Sequence, residues 1–203
     1  RRRLMSQIPV DAGLVVFLRL PDKGKVKTRL AATLSEETAL AIYKKLVSIT
    51  LDIAIRSEIP TYLFYTNGLP PASTRDARFS YYIQVDGDLG SRMADALSFV
   101  LSLHQKALII GSDCPDLTPE ILHAGCRSLD EKDIVLGPAD DGGYYLLGCS
   151  ELHPALFANI KWSTPSVLDQ TIEKIKKANL SYCLLEKLND IDTAEDWIRY
   201  TGL

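Results

Sequence analysis

Four short segments of the chain carry side chains suited to phosphate and metal chemistry. Residues 19–29 hold Arg19, Lys23, Lys25, Lys27 and Arg29 within eleven positions, with Gly24 among them. Cations at that density beside a glycine, with a helix soon after, can cradle a phosphate or diphosphate. The same run serves equally as a solvated basic loop, the usual fate of clustered charge. It is not a Walker A loop, because Val26 follows Gly24-Lys25 and the upstream glycine is missing. In Gly111-Ser112-Asp113-Cys114-Pro115-Asp116, two carboxylates stand three residues apart after a strand-like run. Asp113 is the better ligand for Mg²⁺ or Mn²⁺, hard ions that take carboxylate, water and phosphate oxygens. Asp116 could equally serve the start of the following helix through its dipole. Cys114 reads as a packed thiol, since none of His104, His123 and His153 has a local signature that would pair it with a nucleophile.

The third segment, Gly137 to Tyr145, sets Asp140-Asp141 against Gly142-Gly143. A hairpin turn accounts for Asp141-Gly142. It leaves Asp140, the second glycine and Tyr144-Tyr145 over, and these suit a substrate lying close to the backbone. The fourth, Asn189 to Asp196, contains a capping box from Thr193 to Asp196. Asp190 and Asp192 lie outside it and point the same way if the stretch is extended, so one could be a second metal ligand. In a smaller segment, Gly87 to Met93, Asp88 reads as an N-cap and Arg92 falls in the first helical turn. A cation there opposes the helix dipole and hints at an anionic partner.

The elements that must position these groups alternate along the chain. Continuous apolar runs near 14–18 and 107–110 read as buried strands, the first covered on both faces, and 61–65, 81–85, 133–137, 144–148 and 181–185 as further strands. Helical spacing covers about 36–56, 88–104, 119–129 and a segment after Thr164-Pro165, with a short terminal helix after Thr193. Thr33 with Glu36, Thr118-Pro119 and Thr164-Pro165 are the expected helix starts. This order predicts an α/β fold with a mixed, mostly parallel sheet flanked by helices, with ligands at the carboxyl ends of its strands. Residues 1–12 are expected to be a flexible segment and 13–203 a single domain.

With 203 residues, 46% of them hydrophobic, the chain has enough apolar surface for one core and is not intrinsically disordered. A net charge of −3 argues against a nucleic-acid partner. No window is long and apolar enough for a membrane span. Four dispersed cysteines suggest neither a disulfide framework nor a zinc site, which fits a reducing cytoplasm.

In one order, the chain carries Lys25-Val26-Lys27-Thr28-Arg29-Leu30, Gly87-Asp88-Leu89-Gly90 with Arg92-Met93, Ser112-Asp113-Cys114-Pro115-Asp116-Leu117, Asp141-Gly142-Gly143-Tyr144-Tyr145 and Asp190-Ile191-Asp192-Thr193. From about residue 14 to 200 it resembles small bacterial glycosyltransferase-A-like proteins, the nucleotide-diphospho-sugar transferases of the radical-SAM/selenobacterial-domain-associated type. More distantly it is similar to the molybdenum-cofactor and phospholactate guanylyltransferases. The resemblance implies a Rossmann-like nucleotide-diphospho-sugar transferase fold, with Asp113 in the place of the metal-binding aspartate after the central strand. It puts Lys25 and Arg29 in the phosphate-binding place and Asp192, or else Asp190, in the acidic metal position before the last helix. The first loop departs from the glycine-rich form LxAGGxSxRMG of the nucleotidyltransferases, which orders a triphosphate.

The combined expectation is a metal-dependent transferase using Mg²⁺ or Mn²⁺ and a nucleotide or nucleotide-sugar donor. Asp113, Asp192 and Asp190 are the candidate metal ligands, and Arg19, Lys25, Lys27, Arg29 and Arg92 the candidate phosphate-binding residues. Asp113 and Asp141 are the candidate catalytic groups, Asp141 as the base toward an unknown acceptor beside Gly142, Gly143 and Tyr144. Glycosyl transfer leads. The alternatives are a nucleotidyltransferase releasing pyrophosphate and a nucleotide-binding module without turnover, and either enzyme could be a homo-oligomer.

Overall fold

The computed structural model describes residues 11–202. Among them run the strands β1 (Ala12–Leu18), β2 (Thr61–Tyr65), β3 (Phe79–Ile83), β4 (Lys106–Ile110), β5 (Ile134–Pro138), β6 (Tyr144–Cys149) and β7 (Tyr182–Leu184). They form one sheet in the order β3-β2-β1-β4-β6-β5-β7. Only β6 runs against its neighbours, pairing antiparallel with β4 and β5, while the remaining pairs are parallel. The expected α/β fold with a mixed, mostly parallel sheet is therefore the observed one.

The helices are α1 (Thr28–Thr33), α2 (Glu36–Ser57), α3 (Leu89–Leu101), α4 (Pro119–Ser128), α5 (Val167–Lys177) and α6 (Ala194–Thr201). Because side chains alternate across a strand, Leu14, Val16 and Leu18 of β1 pack with Ile53 of α2 and Leu122 of α4 on one face. Val15 packs with Leu97 and Val100 of α3 and Ile175 of α5 on the other. Each fully buried leucine in these layers, Leu14, Leu63, Leu108 and Leu146 among them, contributes about 1.5–3 kcal/mol of burial free energy. Helix α3 lies so close to the sheet that a Cβ on Gly13 would sit 2.4 Å from Val100 Cγ1. A third cluster of Leu30, Ile42, Leu46 and Ile191 ties α1 and α2 to the segment before α6. Its consequence is functional, because it brings the cationic loop and the carboxyl end of the chain together.

Several boundaries differ from the sequence expectation. Residues 1–10 of the expected flexible segment lie outside the described residues, and the strand already begins at the fully buried Ala12. Thr33 ends α1 and does not cap the long helix; Ser35 does, accepting from Thr38 N. Thr164-Pro165 likewise precedes the start of α5 at Val167, and Thr164 Oγ1 donates to Lys161 O within the loop. In both places a second hydroxyl residue closer to the helix takes the boundary. Strand β3 is shifted two residues toward the amino end by its register with β2, leaving Gln84 and Val85 beyond it.

Thr118 and Asp88 cap α4 and α3 as expected. The Thr193–Asp196 capping box is complete, with Thr193 Oγ1 accepting from Asp196 N and Asp196 Oδ2 accepting from Thr193 N at 2.8 Å. Thr193→Ala should therefore lower stability by about 1 kcal/mol in urea denaturation, and an unchanged midpoint would show that the cap adds nothing to the folded state. Among the described residues, no helix is long and apolar enough to cross a membrane.

Candidate functional site

The loops that leave the carboxyl ends of β1, β2, β3, β4 and β5, the last of them the turn that enters β6, gather on one edge of the sheet. An antiparallel β6 is what lets the 139–143 turn join them, since a parallel strand would have begun at the opposite edge. Two cavities open there, of about 550 Å³ and about 370 Å³. Phe17, Leu89, Gly111, Asp113 and Ser163 line both, so the cavities are contiguous and Asp113 stands at their junction.

The larger cavity is lined by Arg19, Lys25, Lys27, Arg29 and Arg92, all five of the cations expected to bind phosphate. They hold different positions within it. Lys27 has left-handed backbone (φ 49°) at the start of α1, and its side chain is 7% exposed. That turn sends its ammonium inward, where Nζ lies 2.9 Å from Asp113 Oδ1 and 3.1 Å from Asp192 Oδ1 and donates to Ile191 O at 2.6 Å. Burial pushes the Lys27 amine down, but the charges of Asp113 and Asp192 outweigh it and hold the group above its ordinary value. Arg29 Nη1 reaches the other oxygen of Asp192 at 3.3 Å. Lys25, by contrast, is largely exposed. Arg19 donates to Lys25 O, and the Tyr43 hydroxyl both accepts from Arg19 N and donates to Arg19 O, which pins the loop to α2. Arg92 is held from beneath, because Gln84 accepts from its Nη1 while donating to Phe64 O.

The smaller cavity has another character. Asp113, Asp141 and Asp190 are its charged residues, and Phe17, Met93, Ile109, Tyr144, Trp162 and Val167 supply most of the remaining wall. The partly buried Asp190 carboxyl is pushed up to about 7 by lost solvation and by the charges of Asp113 and Asp141, against the pull of Lys27. Asp190 and Asp192 thus do not act on the same side as an extended strand would have them. The segment between β7 and α6 is irregular, Ile191 is buried between the two acids, and each acid lines a different cavity. Asp141 Oδ1 accepts from Gly143 N and closes the turn around its own carboxylate.

The glycine pair also divides. Gly143 lines the small cavity, whereas the space beside Gly142 is already taken: a Cβ there would lie 2.0 Å from Pro165 O, and Gly142 O accepts from Leu168 N. The close approach expected of a substrate at Gly142 is thus made by the chain itself. The loop before α5 is clamped by this contact and supplies Trp162, Ser163 and Thr164 to the cavity. Asp140 pairs with Lys187, and Asp116 is exposed outside both cavities. Cys114 is buried, and loss of solvation drives its thiol far above the ordinary range, in keeping with a packed residue.

Sequence reasoning missed Phe17, Tyr43, Thr66, Gln84, Trp162 and Ser163. Gln84 alone had a signal, as a polar residue at the end of an aromatic strand. The others are ordinary core or loop types whose roles depend on which loops meet.

The donors suit Mg²⁺ or Mn²⁺. Asp113 and Asp192 are hard oxygen ligands, each about two-fifths exposed toward the cationic cavity, and Asp113 keeps one oxygen without a hydrogen bond among the described residues. Among those residues, no group of three or more His, Cys, Asp or Glu side chains forms a metal cage. Magnesium commonly takes one or two carboxylates and completes its shell with substrate phosphates; here Asp113 offers its unpaired oxygen, while Asp192 shares its two oxygens with Lys27 and Arg29.

The fold is similar to those of several solved structures. A candidate nucleotide-diphospho-sugar transferase from Desulfovibrio desulfuricans G20 superposes with a TM-score of 0.87 at 29% identity, covering 95% of this chain and 87% of that one. A 4-diphosphocytidyl-2C-methyl-D-erythritol synthase from Anaerococcus prevotii DSM 20548 gives 0.62 at 12% identity, covering 95% and 96%. Rv0371c of Mycobacterium tuberculosis H37Rv, in a complex with manganese, gives 0.60 at 17% identity, covering 95% and 98%. The two latter likenesses establish the fold alone. No curated protein sequence matches the chain. The family model described as "Uncharacterized protein conserved in bacteria (DUF2064)" matches residues 47–164, more than half of the chain, taking in Arg92, Asp113 and the Asp141–Tyr145 turn. By that match, on the fold of the nucleotide-diphospho-sugar transferases, the chain belongs to the DUF2064 family.

Proposed function

We propose that the protein is a glycosyltransferase that binds a nucleoside diphosphate-linked sugar in the cationic cavity and passes the sugar to an acceptor in the smaller one. The observation that carries this reading is the meeting of a five-cation cavity and a carboxylate-lined one at Asp113. A donor diphosphate belongs among the cations, and its sugar then reaches the junction. Lys25, Arg29, Arg19 and Arg92 neutralise the diphosphate, with Arg92 oriented by Gln84. Lys27 acts one step back, fixing Asp113 and Asp192 in position. Those two carboxylates would hold a divalent ion together with the diphosphate, and such an ion, when bound, supplies charge neutralisation on the leaving group. Asp141, on the acceptor side, is placed to orient or deprotonate an acceptor hydroxyl.

Phosphorus NMR of the protein incubated with nucleotide sugars and Mn²⁺ tests the reaction type: released nucleoside diphosphate is expected, and pyrophosphate formed from nucleoside triphosphates would move the assignment to nucleotidyl transfer. Tight nucleotide binding without turnover would leave a binding module. For the ligand assignment, Asp113→Asn should weaken diphosphate binding in the presence of Mn²⁺ by about tenfold, or about 1.4 kcal/mol. Calorimetry giving equal affinity for both proteins would refute it.

A further inference from the structure

The smaller cavity differs from its neighbour in charge as well as size. Among the described residues no Lys, Arg or His lines it, three carboxylates do, and the rest of its wall is mainly aromatic and aliphatic. Two wall residues, Tyr144 and Trp162, bury a polar atom that forms no hydrogen bond of normal geometry with the described residues. We infer that this cavity takes a compact acceptor with an apolar body and an uncharged or cationic polar end, and that it rejects phosphorylated and carboxylated acceptors. The inference rests on the reading of this cavity as the acceptor site.

The physical basis is discrimination by repulsion. An anion entering the small cavity would lose solvent against apolar walls and face Asp141 and Asp190, neither of which has an ion-pair partner among the described residues; only Asp113 is paired, to Lys27. Lys27, whose ammonium lies 2.9 Å from the shared Asp113, is already committed to Asp113, Asp192 and Ile191 O. A hydroxyl or ammonium end instead finds three acceptor carboxylates, while an aliphatic or aromatic body is covered by Phe17, Met93 and Val167. Charge thus sorts the two substrates between adjoining cavities, the diphosphate to one side of Asp113 and the acceptor to the other. A nucleotidyl transfer would bring a phosphorylated acceptor to the side whose wall, among the described residues, carries no Lys, Arg or His.

The test uses benzyl alcohol, benzylamine and benzyl phosphate as probes sharing one apolar body. Inorganic diphosphate with Mn²⁺ fills the cationic cavity, and a Trp197→Phe background leaves Trp162 as the fluorophore. Benzyl alcohol and benzylamine should change Trp162 emission with affinity at least about tenfold above that of benzyl phosphate. Thr164→Lys, which adds an ammonium to the wall, should shift the order toward benzyl phosphate; if that protein does not fold, the ranking in the Trp197→Phe protein decides alone. Benzyl phosphate binding as well as the other two, or no probe acting at about 10 mM, would overturn the inference. Failure of diphosphate to bind, seen separately by calorimetry, would instead sink the donor assignment and leave the probe ranking to judge this cavity.

Discussion

Lys27→Met should lower diphosphate affinity by about a hundredfold, equivalent to about 2.7 kcal/mol, and destabilise the fold by about 2 kcal/mol. The first effect follows from geometry, because one ammonium sets the separation and facing of Asp113 and Asp192 and is held in turn by Ile191 O. Without it two carboxylates repel across the mouth of the cationic cavity, with Asp190 close enough to add to the repulsion. The stability estimate sits below the 3–5 kcal/mol typical of breaking a fully buried pair, since both carboxylates are partly solvated. Lys27→Arg retains the charge but replaces a compact three-donor head with a planar fork, and should recover only part of either loss. Urea denaturation and calorimetry with inorganic diphosphate measure the two quantities. A Met variant equal to wild type in both would mean that the lysine is incidental to the site.

Gly142→Ala should abolish most of the proposed sugar transfer, by about a hundredfold or more, while leaving diphosphate affinity within about twofold. Residue 142 has φ 86°, a left-handed conformation that alanine adopts only with strain, and the new Cβ would lie 2.0 Å from a backbone oxygen of Pro165. Backbone cannot rotate away as a side chain can, so the 139–143 turn and the loop before α5 must separate. The bond from Leu168 N to Gly142 O goes with them. Stability should fall by about 2–3 kcal/mol. Trp162, Ser163 and Thr164 would then lose their register with Asp141, deforming the acceptor cavity and sparing the cationic loop on the far side of Asp113. Gly143→Ala is the control: its Cβ meets the Asp141 side chain at 3.1 Å and no backbone, so its losses should be much smaller. Equal effects at the two glycines would show that the loop clamp does not shape the site.

These expectations distinguish the two halves of the site. Lys27 organises carboxylates beside the cationic cavity, the proposed donor side, and Gly142 fixes a wall of the smaller one, the proposed acceptor side. A single active surface without this division would respond to both substitutions with parallel losses of binding and transfer.

The sequence alone determined the layered architecture, because strand and helix differ in period and every apolar run had to be covered. It also determined where Asp113 would stand. Asp113 follows a strand buried on both faces, and a polar residue there must emerge at the sheet edge. What it left undecided were directions and partners. Five cations in one loop look alike as letters, yet the left-handed turn at Lys27 buries one of them between acids 86 and 165 residues away. Asp190 and Asp192 look like a pair, yet Ile191 anchors in the core and sends them to separate cavities. Gly142 and Gly143 look equally open, yet one is filled by Pro165. Each outcome depends on contacts between segments distant in the chain, set by how α1, α2 and the loop before α5 pack on the sheet, and local patterns carry no record of those contacts.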